Sequence, residues 1–123
     1  MICPPSLDRN VQDRAFRATN GELGICPGDV GAFLVACRRD GIEMFGWELW
    51  IVDHAWEMDL SRPVPALGSW CGGIPVRGTG SLEIFSFDGD ADLAEQQFAD
   101  LDLEAEVSPE WLPHVRVNFT LEG

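Results

Sequence analysis

Residues Trp47–Trp56 read WELWIVDHAW, which puts three tryptophans and an Asp-His pair into ten positions. Side chains alternate along a strand, so Trp47, Leu49 and Ile51 share one face, and Glu48, Trp50, Val52 and His54 the other. Apart from Glu48, both faces stay apolar until Asp53. A strand that is apolar on both sides is central in its sheet and covered above and below. Trp47 and Trp50 lie three residues apart and therefore point in opposite directions. They cannot form one flat platform for stacking sugars or bases, so the stretch reads as core. Asp53 and His54 sit at the exit of the strand, where functional side chains often lie.

Working outward, the N-terminal side reads as helix. Leu7, Val11, Ala15 and Ala18 recur at helical spacing, which predicts a helix from about Leu7 to Ala18, stopped by Asn20-Gly21. A second helix is predicted after Asp29 as cap, with Val30, Phe33, Leu34 and Cys37 as its apolar stripe. Arg38 and Arg39 suit the negative end of its dipole, and Gly41-Ile42 reads as a glycine stop with a hydrophobic clasp.

On the C-terminal side, "GSLEIFSF" reads as a strand paired with Ile74–Arg77 across Gly78-Thr79-Gly80. A helix follows over "DGDADLAEQQFADLD", with Asp92 and Glu95 as a capping box and Ala91, Ala94, Phe98 and Leu101 facing inward. Residues 101–107 alternate and predict a strand, with Leu101, Leu103, Ala105 and Val107 on one face and Asp102, Glu104 and Glu106 on the other. Arg116 on the next strand is the available partner for those acids. Val115, Val117, Phe119 and Leu121 alternate with polar residues in a last strand. Helices first, then strands with one helix inserted, predict a single α+β domain over 1–123. We expect a mainly antiparallel sheet of about five strands with two to three helices packed on it. Residues 61–80 form a long Gly/Pro-rich loop region with one short strand.

Composition bounds the function. The chain has 123 residues, 46% of them apolar, enough for a core of its own. No apolar run approaches the ~20 residues that cross a bilayer, and "MICPPSLDRN" does not resemble a secretory signal. We therefore expect a soluble, cytoplasmic protein. Twenty-one acids face eight bases, all arginine, for a formal net charge of −13. Residues 1–41 balance five acids with five arginines, so 42–123 supply the whole excess. From Glu83 to Glu106 there are nine acids and no base. Such a surface repels nucleic acid and anionic membranes, both of which need positive charge on the protein. It suits a basic protein partner, whose encounter it would steer. The candidate partner-binding residues are Glu83, Asp88, Asp90, Asp92, Glu95, Asp102, Glu104 and Glu106. By charge and size alone, the chain resembles the small acidic inhibitors that neutralise nuclease-type toxins.

Other chemistry is weakly indicated. Cys3, Cys26, Cys37 and Cys71 have no paired spacing and read as packed thiols rather than zinc ligands. "DGDAD" opens like a calcium loop, but Leu93 stands where glycine is needed and Ala99 where glutamate is needed. No nucleotide-binding glycine motif is present, and no metal or cofactor is expected. If the chain is an enzyme, Asp53, His54 and Cys71 are the catalytic candidates, with Trp56 and Trp70 lining a ligand pocket. Asp53 cannot orient His54 while the strand remains regular, because adjacent residues face opposite ways. Three readings follow: a non-enzymatic binding protein, a small enzyme or ligand-binding domain, and an oligomeric module such as mobile-element cargo, with a homodimer using surplus tryptophan.

Overall fold

The computed structural model describes residues 2–18, 21–52, 74–76, 81–107, 109 and 112–123; for 74–76, 81–87 and 106 it describes the backbone. The architecture is α+β. The elements are α1 (Arg9–Arg14), β1 (Phe16–Arg17), β2 (Leu23–Gly24), α2 (Val30–Arg39), β3 (Met44–Val52), β4 (Ile74–Val76), β5 (Ser81–Asp88), α3 (Ala91–Asp100), α4 (Leu103–Glu106) and β6 (Val115–Leu121). Short 3-10 turns at Pro27–Asp29 and Leu112–His114 precede α2 and β6.

The main sheet has the order β4-β5-β3-β6, with every pairing antiparallel. Among the described residues it has four strands, where the sequence predicts about five, and β1 and β2 form a separate two-stranded ribbon. That ribbon meets the edge of β6 at a single antiparallel bridge, Ile25 to Val117, whose N–H···O distances are 2.7 and 2.8 Å.

As the sequence predicts, β3 is an inner strand buried on both sides. Trp47, Leu49 and Ile51 enter the main core with Phe33, Leu34 and Cys37 of α2, Ala94 of α3, and Val115, Val117 and Phe119 of β6. Trp50 and Val52 enter a second, smaller cluster with Ala18 and the partly buried Phe16. The two tryptophans therefore do point into different layers. Each indole N–H finds an acceptor, as burial demands: Trp47 donates to Gln97 Oε1 at 2.9 Å, and Trp50 donates to Glu48 Oε1 at 2.7 Å. Aromatic pairs lock the main core, with Phe33 stacked on Phe119 at 4.6 Å and Trp47 edge-on to Phe98 at 5.8 Å.

Two helices differ from expectation. The first is shorter, with Asp8 as its cap accepting from Asn10 N at 2.7 Å. It ends before Ala15 because Phe16 and Ala18 are needed on the far side of the sheet, against Trp50. At the second, Asp29 occupies the cap position but makes no side-chain cap bond. Its carboxylate instead takes a bidentate pair from Arg14, at 3.0 and 2.9 Å. The end of α2 follows the predicted form: Gly41 has φ +65, its N–H donates to Arg38 O, and Ile42 N–H donates to Cys37 O. The antiparallel pairing of β4 with β5 is also as expected, with Val76 opposite Ser81. Residues 61–73 and 77–80 of the Gly/Pro-rich segment, the predicted Gly78-Thr79-Gly80 turn among them, lie outside the described residues.

An acidic helical layer and an apolar groove

The acidic segment is built on α3 and α4. Asp90 caps α3 by accepting from Leu93 N at 2.9 Å. The cap thus sits two residues before the predicted capping box. The inward residues are those expected: Ala94 is buried, and Ala91, Phe98 and Leu101 pack on the core. Asp92 and Glu95 are free of capping duty and reach across to α2, where both accept from Arg38 Nη2, at 2.8 and 2.6 Å. These bonds, Asp92 first, hold the guanidinium still more firmly in its charged form.

The strand expected over 101–107 is a helix. Asp102 caps α4 by accepting from Ala105 N, and Val107 N–H closes the turn on Leu103 O at 2.9 Å. The alternation misleads because Leu103 and Val107 are also four apart, so a helical turn carries both to the core. Leu, Glu and Ala favour helix, and a strand would line up three like charges on one face. Among the described side chains Arg116 pairs with neither Asp102 nor Glu104; its Nη1 donates to the carbonyls of Pro113 and Val115.

The outcome is one exposed acidic layer. Asp88, Asp90, Asp92, Glu95, Asp100, Asp102 and Glu104 are all exposed. Among the described side chains, Arg38 is the one cation paired with this set. Glu83 lies on β5 opposite Trp50 and Ile74, and Glu106 closes α4; their side chains lie outside the described residues. Asp53, His54, Trp56, Trp70 and Cys71 also lie outside them, as does the pocket expected between Asp53/His54 and Trp70/Cys71.

Beside the acidic layer runs a groove of about 350 Å³ between α2 and α3. Val30, Gly31, Leu34 and Val35 form one wall, and Glu95, Phe98 and Ala99 the other. The helices run antiparallel, since Arg38 at the end of α2 meets Asp92 and Glu95 near the start of α3. The groove is a site that the predicted apolar stripe does not reveal. Its signal is Val35, an apolar residue off that stripe and 54% exposed. Past Arg38 the surface dips again into a second hollow of about 220 Å³, lined by Glu43, Asp90 and Asp92 together with Ile42 and Met44.

Cys37 is fully buried, and burial pushes its pKa up to about 11. Cys3, Cys26 and Cys37 are free. Among the described residues no cluster of His, Cys, Asp and Glu could hold a metal ion, and no helix is long and apolar enough to cross a membrane. Comparison of the chain with known protein families, with curated proteins and with solved structures gives no match.

Proposed function

We propose that this chain is a non-enzymatic, cytoplasmic binding protein that engages a basic protein partner through the acidic layer of α3 and α4. The supporting observation is the exposure of all seven described acids between Asp88 and Glu104, with Arg38 alone among described cations pairing to them. Like charges gathered on one surface raise the free energy of the isolated protein, and a basic partner relieves that repulsion and is steered toward it. The same field opposes nucleic acid and anionic lipid.

The test uses the full chain and a variant carrying Asp88→Asn, Asp100→Asn and Glu104→Gln. These side chains are exposed and cap no helix. Each protein is immobilised, exposed to lysate at low and high salt, and cross-linked so that contacts can be mapped. A basic protein should be retained at low salt, released at high salt, cross-linked near 88–104, and held less well by the variant. Retention that ignores both salt and the substitutions, or no retention at all, overturns the proposal.

A further inference from the structure

We infer that the partner's docking segment is a basic amphipathic helix, whose apolar face seats in the α2–α3 groove while a basic side chain reaches the hollow beyond Arg38. This rests on the basic-partner reading above and adds where and how the partner sits.

The occupant follows from the shape and charge of the two hollows. Both are lined by Arg38, which forms a sill between them. On one side the walls are aliphatic and aromatic: Val30, Leu34, Val35 and Phe98. On the other side stand three carboxylates, Glu43, Asp90 and Asp92, while the second Arg38 partner, Glu95, lines the groove at its Arg38 end. Arg38 offsets one of these charges, so the hollow keeps a negative excess. A ligand that matches this surface presents apolar groups followed, along its length, by a cation. An amphipathic helix laid in a groove between two helices does so through residues three and four apart. The lining runs from Val30 to Arg38 along α2, so the groove extends for about 12 Å, the length of about two helical turns.

Charge also decides against a second copy of this chain. Face-to-face docking would oppose one acidic layer with another, on a molecule of formal net charge −13. Gly31 makes the groove testable. A Cβ added there meets nothing within 4 Å, so a larger side chain can fill the groove without displacing the fold.

The experiment measures binding of a labelled Leu/Arg amphipathic peptide by fluorescence anisotropy, using the intact protein. Control peptides replace every Leu with Ser or every Arg with Gln. Gly31→Leu should weaken the Leu/Arg peptide by about tenfold or more while Gly31→Ala leaves it unchanged. Glu43→Gln with Asp92→Asn should weaken it too and flatten its salt dependence. Should Gly31→Leu fail to fold by circular dichroism, Val35→Arg at an exposed position replaces it as the groove variant. Undiminished binding to the groove variant, alongside loss in the charge variant, overturns the groove assignment and leaves the acidic-surface reading standing. Binding that none of the variants nor salt alters overturns both. A concentration-dependent dimer in sedimentation that Gly31→Leu abolishes assigns the groove to a second copy and overturns the inference.

Discussion

Two glycines, Gly24 on β2 and Gly31 on α2, should respond to the same substitution in opposite directions. At Gly24 an added Cβ would lie 2.8 Å from Arg116 Cβ and 3.1 Å from Trp50 Cε3. Carbon atoms in contact rest at about 3.5–4.0 Å, so the ribbon must retreat by roughly 1 Å. Neither neighbour can yield. Arg116 Cβ is fixed to the backbone of β6, and Trp50 is fully buried with its indole N–H engaged. The strain falls on the adjacent Ile25–Val117 bridge, which joins the ribbon to the sheet. Overpacking of this kind costs about 1–3 kcal/mol, offset by up to ~1 kcal/mol from the restricted unfolded chain. Gly24→Ala should therefore lose about 1–2 kcal/mol. At Gly31 the Cβ enters open space on a helix, and alanine should gain about 0.5 kcal/mol. Thermal and urea unfolding read both, and a spread of about 2 kcal/mol corresponds to roughly 5–10 °C between the two midpoints. A Gly24→Ala protein as stable as the parent would refute the close packing of the ribbon on Trp50. A Gly31→Ala protein less stable than the parent would refute the open groove.

The other expected outcomes concern the core, the caps and the thiol. Trp50→Ala should cost about 3–5 kcal/mol in urea unfolding, whereas Phe45→Ala on the same strand, 49% exposed, should stay within about 0.5 kcal/mol. Asp90→Ala should cost about 1 kcal/mol by removing the cap of α3, and Asp92→Ala, which breaks an exposed ion pair, should cost less; equal losses would place the cap elsewhere. Cys37 stays protonated in the fold up to about pH 11, against 9.0 for an ordinary thiol. Above pH 9 the unfolded chain releases this proton first, so the stability the buried thiol contributes is present below pH 9 and is lost as pH rises toward 11. Iodoacetamide at pH 8 should therefore label Cys37 only on unfolding, which mass spectrometry of timed samples would show.

Elements whose apolar pattern admits a single reading were legible. The stretch through Trp47–Val52 is apolar on both faces, and a buried inner strand is the structure that uses both. The stop at Gly41-Ile42 is local chemistry and was equally readable. The pattern over 101–107 fits two periods, and α4 forms because the Asp102 cap and the Leu103–Val107 spacing act together. Nothing local distinguishes Asp29 the cap from Asp29 the partner of Arg14, since the arginine arrives from fifteen residues away. The acids of the candidate site were legible as a count and a segment. Their exposure, their capping roles and their link to Arg38 required the packing of α3 on α2.

By itself, then, the sequence determined the α+β class, the inner position of β3, the division of Trp47 and Trp50 between two layers, and the sign of the surface charge. These follow from side-chain period and composition, which are properties of the chain alone. Tertiary structure decided where the charge lies beside an apolar surface. The groove exists because α2 and α3 are held together by Arg38 at one end while Gly31 leaves space at the other. That arrangement depends on residues more than fifty positions apart, and no local pattern encodes such a distance.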